Sequence, residues 1–347
     1  MRNIFKIKSN ALNKNLFSLS IALLFLNYPL FSQLEFSSVN SAVGAFSRMG
    51  FGARGIAMGN SVSAVKQGNL VSYYNPALSV FQEDNSFNAT YSFLSLDRSL
   101  NFINFTRRFD FYSVKDSANE NQKPRSTAGL SLGLINAGVS DIDARDNQGF
   151  KRDPLSTSEN QFFIGVAIKF SEKIAAGLNA KFYYYKLYED VTTTSFGIDL
   201  GMVYTLNKNL SFSFVMTDLN SKYKFNSSSV YSTEGIETEN KFPLTKRVGA
   251  SYIFDHIPLI LASEFVFDNY GSKIIRFGGE YEIYDLLKLR AGLDNLHLNN
   301  FDQPVRPSFG FSFMKVFKPL KISFDYAFAL EPYTAMDRHI IGLNFIF

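Results

Sequence analysis

Residues 321–328 read Lys-Ile-Ser-Phe-Asp-Tyr-Ala-Phe, with a large apolar side chain at every second position from Ile322 to Phe328. Successive side chains of a β-strand point to opposite faces, so the apolar side chains would share one face and the polar ones the other. Residues 173–184 and 287–294 alternate in the same way. A helix would scatter the charges around a cylinder, so this period of two predicts strands.

The same alternation recurs along most of the chain and predicts an all-β, antiparallel fold. One run changes phase between Phe102 and Ile103, which suggests a β-bulge. From residue 86 onward, we read fourteen strands at roughly 86–96, 99–108, 126–136, 161–170, 173–186, 192–205, 209–218, 245–254, 258–267, 273–284, 287–294, 305–315, 319–329 and 337–347.

The connections between these strands alternate between long and short. Segments 137–160, 219–244 and 295–304 are long, whereas 171–172 and 285–286 are tight turns. An even number of strands with long loops at one rim and short turns at the other is typical of an outer-membrane β-barrel. A soluble β-sandwich would explain the alternation but not the one-sided loop lengths. We therefore predict a transmembrane barrel of about 14 strands, surrounded by outer-membrane lipid, with the long loops outside the cell.

The composition excludes several other classes. The 347 residues are 16% aromatic and 19% charged, which is too apolar for a disordered chain. The formal charge of +4 gives no argument for nucleic-acid binding. With no Cys and only three scattered His, we expect no metal site and no cofactor. No nucleophile elbow is present, so we expect no catalytic residues and no enzyme activity.

The two chain ends carry export and assembly features. Basic residues precede an uncharged apolar stretch at 16–30, which is the order of a signal peptide, and we place its cleavage after Ser32. At the other end, Phe345 and Phe347 lie on the predicted lipid-facing side of the last strand. This end resembles other outer-membrane barrels, in which a terminal aromatic residue serves as the assembly signal.

Residues 33–85 do not alternate and form a region of their own before the barrel, 86–347. Four glycines at 50–59 exclude a long helix there, and Pro76 ends any helix that reaches it. A compact, irregular segment that precedes a barrel is suited to fold inside it.

Two short boxes in this region resemble the PorV/PorQ group of FadL-like outer-membrane proteins. The first box matches at Ala53, Arg54, Met58 and Gly59, and the second at 75–77, Asn-Pro-Ala. The chain departs from the group at Leu78, where many members have Gly. The resemblance implies an N-terminal hatch inside the barrel, and we expect it to be anchored by Arg54, Gly59, Asn75 and Pro76.

The predicted inward faces of the strands carry glycines and charges of both signs. The glycines would let another backbone approach closely. The charges either pair with one another and with the hatch, in which case Arg54 finds an inward carboxylate, or form a polar conduction path. The inward charges that we single out are Asp199, Glu264, Arg276, Glu280, Lys288, Arg290 and Asp325.

Two functions are compatible with these features. The resemblance implies a protein partner in a type IX secretion or cell-surface complex of Bacteroidetes, bound through the polar loops 137–160 and 219–244. The alternative is passive transport of hydrophobic molecules, which needs an apolar groove. Few loop residues could line such a groove: Phe150, Tyr223, Phe225, Val230, Tyr231 and Ile236.

Overall fold

Fourteen strands close into an antiparallel barrel in which the first strand, β1 (Ser86–Phe93), pairs with the last, β16 (Arg338–Ile346). The structure is a computed structural model and describes residues 38–112, 124–188, 191–226, 228, 235–284, 286–317 and 319–347. The closed sheet confirms the predicted fold class. The predicted signal peptide lies outside the described residues.

Every strand pairs with its neighbour in sequence, except where the chain between β7 and β10 leaves the wall to form a separate hairpin, β8–β9. The remaining strands are β2 (Arg98–Phe111), β3 (Ser126–Ile142), β4 (Leu155–Lys169), β5 (Ile174–Tyr188), β6 (Val191–Thr205), β7 (Leu210–Leu219), β8 (Lys222–Asn226), β9 (Glu237–Lys241), β10 (Thr245–Ile253), β11 (Leu259–Asp268), β12 (Lys273–Tyr284), β13 (Leu287–His297), β14 (Arg306–Phe317) and β15 (Leu320–Ala329).

Two predicted loops contain more structure than their sequences indicate. β3 and β4 extend beyond the predicted strands, so the connection between them shrinks to 143–154. The long connection after β7 contains the β8–β9 hairpin, in which Lys222 pairs with Lys241. The connection after β2 includes 113–123, which lie outside the described residues.

The predicted bulge in β2 is wrong. The register of β2 runs without a shift against both β1 and β3. Phe102 points inward and is buried at 1% exposure, with its ring 5.3 Å from that of Phe51. The change of phase in the sequence therefore reflects an aromatic side chain on the lumen face, where it packs against the segment before the barrel.

The outward faces of the strands are apolar. On β4, Phe162, Ile164, Val166 and Ile168 alternate along the exterior and are 41–56% exposed. A continuous apolar surface of this kind would associate in water but is stable against hydrocarbon. The exterior of the barrel is therefore the surface that faces membrane lipid.

Residues 38–85, here called the lumen segment, lie against the inward faces of the strands. They form three 3₁₀ helices, Ser38–Ser41, Ala45–Arg48 and Pro76–Phe81, and one short α-helix, α1 (Ala53–Ala57). The Asn75 side chain accepts a hydrogen bond from the Ala77 amide and so caps the last of these helices. In the described part of the chain, no helix has the length and apolarity to cross a bilayer.

The chain end completes the closure between β1 and β16. The backbones of Phe347 and Asn85 exchange two hydrogen bonds of 3.0 Å. Phe347 is 51% exposed on the outer surface, and the Phe345 ring lies 6.2 Å from that of Phe87. The role of these two aromatic residues as an assembly signal stays a prediction.

Candidate functional site in the barrel lumen

Glycines bring the lumen segment into contact with the wall backbone. Gly59 has a φ of 59°, and a Cβ there would lie 2.6 Å from the Phe277 carbonyl oxygen. A Cβ on Gly292 would lie 2.1 Å from the Gly59 nitrogen. On the opposite side, a Cβ on Gly177 would meet the backbone of Pro76 and Ala77 at 2.6 Å. The two backbones can approach this closely only because a glycine lies at each of these contacts.

Asn75 connects the lumen segment to the wall and to itself. Its Nδ2 donates to the carbonyl oxygen of Ser63 at 2.9 Å and to that of Met202, on β6, at 3.2 Å. A Cβ on Gly201 would overlap its Oδ1. The second box therefore lies directly against β6.

A chain of ion pairs links the lumen segment to the wall at Glu280. Arg54 donates from Nε and an Nη to the two oxygens of Glu280, each at 2.8 Å. Arg290 donates to the same carboxylate at 2.7 Å. The remaining guanidinium nitrogen of Arg54 donates to the carbonyl oxygens of Gln67 and Asn69. All three charged groups are buried, so each depends on the others for charge compensation.

Two further ion clusters lie on the inward faces. Arg276 pairs with Asp294 at 2.7 Å and with Glu264 at 3.2 Å. Lys181 pairs with Asp199 at 2.8 Å and with Asp218 at 3.2 Å.

Of the two remaining predicted charges, Asp325 adjoins the Glu280 cluster and Lys288 forms a separate pair. Asp325 accepts a hydrogen bond from Asn344 at 2.9 Å and is only 3.8 Å from Arg290. Lys288 pairs with Glu282 at 2.7 Å and is partly exposed. The sequence-predicted charges therefore belong to three ion clusters and one separate pair.

Three arginines, the half-buried Arg48 and the buried Arg247 and Arg338, bind backbone carbonyls and have no carboxylate within ion-pairing distance among the described residues. Arg48 donates to the carbonyls of Val39, Ala42, Val43 and Gly44. Arg338 of β16 donates to those of Met49 and Gly50 at 2.8 and 3.1 Å, and to the Ser92 hydroxyl. Arg247 of β10 donates to the Tyr74 carbonyl at 2.8 Å.

We call Arg48, Arg247 and Arg338 the carbonyl-bound arginines, and Arg54, Arg276 and Arg290 the ion-paired arginines. The strand pattern places Arg247 among the inward charges, but none of the three carbonyl-bound arginines is among the functional residues that we select from the sequence. Their partners are backbone atoms, which carry no residue-type signal. Only the inward position of Arg247 and Arg338 on their strands could have pointed to them.

An aromatic cluster forms beneath the β8–β9 hairpin. The Tyr223 ring lies 4.8 Å from that of Phe242 and 5.4 Å from that of Tyr185. Phe225 packs at 5.6 Å from Tyr185. The rings of Phe46, from the lumen segment, and Tyr183, from β5, meet at 6.3 Å. The hairpin, the wall and the lumen segment therefore each contribute rings to this cluster, which we call the mouth cluster.

The mouth cluster includes two of the residues that the sequence suggested for an apolar groove. Tyr223 is fully buried in it and Phe225 is partly buried. Phe150 and Ile236 are 68% and 78% exposed and do not belong to it. Val230 and Tyr231 lie outside the described residues.

Next to Tyr73, the lumen contains a cavity of about 130 Å³. Its lining includes five cationic and three acidic side chains, together with Val39, Met49, Val266 and Ile274. The ion clusters of Lys181 and Arg276 form part of this lining. Among the described residues, no group of three or more His, Asp or Glu is arranged to hold a metal ion.

The architecture is similar to that of several outer-membrane channels and transporters of known structure. The toluene transporter TodX of Pseudomonas putida aligns with a TM-score of 0.54 and 14% identity, over 86% of this chain and 96% of that one. The monoaromatic hydrocarbon channel CymD aligns with a TM-score of 0.55 and 15% identity, over 85% and 96%. A FadL homologue of Pseudomonas aeruginosa aligns with a TM-score of 0.50 and 10% identity, over 83% and 96%.

At these identities, the likeness concerns the fold. No protein-family model matches the chain, and no curated protein does. Together with the apolar exterior, the shared fold defines a barrel of the bacterial outer membrane. The resemblance to the PorV/PorQ group stays a prediction.

Proposed function

We propose that this protein is a passive outer-membrane channel for small hydrophobic molecules, with the lumen segment as its hatch. The observation that carries the proposal is the mouth cluster, in which rings from three separate elements pack into one apolar cluster. Ligand sites are commonly lined by aromatic side chains and a few polar groups. TodX and CymD, which have a similar fold, are a toluene transporter and a monoaromatic hydrocarbon channel.

The wall beside the mouth cluster supports the same proposal. β7 pairs with β6 only from Ile198 onward, so the part of β6 from Val191 to Gly197 has no ladder partner on that side in the described residues. The hairpin covers this edge by donating amides of Lys222 and Lys224 to the side-chain oxygens of Ser195 and Thr193. Side-chain acceptors separate more readily than a strand ladder, which would let an apolar molecule leave sideways into lipid.

The lumen segment is the barrier to be moved in such a channel. It fills the space between β6 on one side and β12 and β13 on the other, through Asn75 and Gly59. The ion pair of Arg54 with Glu280 fixes it to the wall. We infer that transport requires a local displacement of this segment, and that Arg54, Gly59, Asn75 and Pro76 set how readily it moves.

Uptake into proteoliposomes tests the proposal with N-phenyl-1-naphthylamine, a neutral fluorescent aromatic probe. Tyr223→Ala should lower the rate of probe uptake several-fold, because it removes the central ring of the mouth cluster. Phe150→Ala is the matched control, since this exposed ring lies outside the cluster, and its uptake should equal that of the parent. Equal uptake by parent, Tyr223→Ala and empty liposomes would refute the channel.

A second candidate is an accessory protein of a secretion or surface complex, as the two sequence boxes imply. The hairpin favours it, because all five residues of β9 are exposed and available to a partner. Co-purification from the native outer membrane, with and without residues 222–241, separates the two candidates. A protein that is retained by the parent and lost with the hairpin would support the accessory role.

A further inference from the structure

A polar patch interrupts the outer wall on strands β2, β3 and β4. In one row across the sheet, Ile103 pairs with Leu134 and Leu134 with Phe162, so the outward surface is apolar. Two residues further along each strand, the corresponding row is Asn101, Asn136 and Asn160. Positions two apart on a strand share a face and are separated by roughly 7 Å. The outward surface therefore changes from hydrocarbon-like to amide within one row.

The three amides form a hydrogen-bonded chain. Asn101 donates to Asn136 at 3.1 Å, and Asn136 donates to Asn160 at 2.7 Å. In the described part of the structure, Oδ1 of Asn101 and Nδ2 of Asn160 have no partner. An amide side chain offers two donors and an acceptor oxygen, so the row presents both donors and acceptors to an external molecule.

Aromatic rings flank this row. Tyr91 pairs with Asn101 on one side, and Tyr184 pairs with Asn160 on the other. The Tyr91 ring lies 4.6 Å from that of Phe93, and both side chains are more than a third exposed. An exposed ring offers an apolar face beside the polar edge of the amides.

The next row of outward residues across the sheet forms a groove beside the patch. It runs from Phe93 through Ser99, Gly138 and Ser158, and the missing side chain of Gly138 leaves a dip between the two serines. The groove has a volume of about 580 Å³, within the range of small-molecule sites. Hydroxyls of Ser99, Ser140, Ser156 and Ser158 contribute to its lining.

The charges around the groove do not suit an anion. Asp97, Asp141 and Arg98 contribute to its lining, and Arg98 directs its guanidinium to the carbonyl and hydroxyl of Ser95. What remains is a neutral surface of amides and hydroxyls beside exposed rings. A sugar matches it, because a pyranose has hydroxyls along its edge and an apolar C–H face that stacks on aromatic rings.

We propose that this groove binds the saccharide head of a membrane-anchored glycolipid. The lipid anchor follows from position, since the apolar row of Ile103, Leu134 and Phe162 lies directly beside the amide row. Acyl chains would lie against the apolar row while the sugar lies on the amides. The site is on the outer wall and is independent of the proposed channel in the lumen.

Native mass spectrometry of the full barrel in detergent tests this site with monogalactosyl diacylglycerol as the probe. Diacylglycerol with the same acyl chains is the control that lacks a sugar. The parent should retain several-fold more galactolipid than diacylglycerol. Asn136→Leu, which replaces the central amide on an outward face, should bring the two lipids to equal retention. Asn101→Leu should have the same effect, so the test still holds if Asn136→Leu does not fold.

Thr194→Leu is the matched variant, because Thr194 is an exposed outward residue of β6 beyond Tyr184. It should leave the preference for galactolipid unchanged. Equal retention of both lipids by the parent, or an unaltered preference in both Asn variants, would overturn the proposal. If methyl β-galactoside at equal concentration displaces the galactolipid, the groove binds a soluble sugar and the proposal of a glycolipid is wrong. Equal retention of phosphatidylglycerol would show a site for lipid headgroups in general and would also overturn it.

Discussion

Arg54 on one hand, and the carbonyl-bound Arg247 and Arg338 on the other, fix the lumen segment to the wall in two different ways. Arg54 depends on one particular carboxylate, Glu280, at the other end of its ion pair. Arg338 and Arg247 hold the segment through carbonyl oxygens, which any residue would supply. The first kind of contact therefore constrains the sequence of the segment, whereas the second constrains the path of its backbone. A lumen segment could diverge in sequence and still be held by the second kind.

The largest expected effect comes from removing the shared carboxylate. Glu280→Ala leaves Arg54 and Arg290 buried without their common partner, which should lower the free energy of unfolding by about 3–5 kcal/mol. Urea unfolding followed by circular dichroism in lipid would measure it. Glu282→Ala is the control, because this half-exposed carboxylate pairs with Lys288 nearby and should cost about 0–1 kcal/mol. Equal losses in both variants would mean that the buried network does not hold the fold together.

A smaller effect is expected when a carbonyl-bound arginine keeps its charge but loses its shape. Arg338→Lys cannot span the carbonyls of Met49 and Gly50 with one ammonium group. Hydrogen bonds to charged groups contribute about 1.5–3 kcal/mol each, so the loss should be of that order. Single-channel conductance should also rise as the segment loosens. Arg107→Lys, at an exposed position, should change neither quantity, and unchanged conductance in Arg338→Lys would show that charge alone suffices.

A comparison of two wall glycines tests whether the segment is held by shape as well as by arginines. Gly292→Ala forces a methyl group against the Gly59 backbone, and overpacking of this kind costs about 1–3 kcal/mol. Gly342→Ala is matched, because its Cβ would have ordinary contacts at 3.4 Å or more. Thermal unfolding should shift downward for Gly292→Ala alone. A similar shift for both would indicate that the strand, and not the segment, is affected.

The smallest effect concerns ion pairs that face water. A hydrogen bond from Lys222 holds the pKa of Glu239 below its usual range in the β8–β9 hairpin. Because the pKa of Glu239 is lower in the folded state, its ionised form stabilises the fold. This stabilisation is complete above the pKa of the unfolded state and is lost as the pH falls through the pKa of the folded state. Hydrogen-exchange protection of 222–226 should therefore stay constant down to the ordinary glutamate range and decrease below it. Glu239→Gln should abolish this pH dependence, and its persistence in that variant would implicate another group.

The sequence predicted the barrel well because one physical pattern, the apolar exterior, repeats in every strand. It failed where the pattern stops. In β3 and β4, Asn136 and Asn160 occupy outward positions that are apolar elsewhere along the strands. Because the alternation stops there, the predicted β3 ends too early and the predicted β4 begins too late. At Phe102 the sequence predicted a bulge that is not there. The inward aromatic side chain interrupts the apolar alternation but leaves the register of β2 unchanged.

The groups in the lumen were predictable only in part, because some of them depend on contacts between distant parts of the chain. Opposite charges such as Arg54 and Glu280 can be recognised as candidates for pairing from their residue types. The grouping of Lys181 with Asp218 depends on the point where the chain leaves the wall after β7, which no local pattern indicates. The mouth cluster similarly depends on how the hairpin folds back over the rim.

Pairing of β1 with β16 also has a consequence for how the molecule is made. Ser86 pairs with Ile346, so the final step of assembly joins residues at opposite ends of the barrel sequence, and contacts of such high sequence separation form slowly. Asn69 of the lumen segment hydrogen-bonds Asn344 of β16, which also accepts from Asn88 of β1. The segment thus touches both sides of the seam where the cylinder is sealed. We therefore expect the barrel to close and the lumen to fill together, late in assembly, and an assembly intermediate to be open along this seam with its interior still accessible to water.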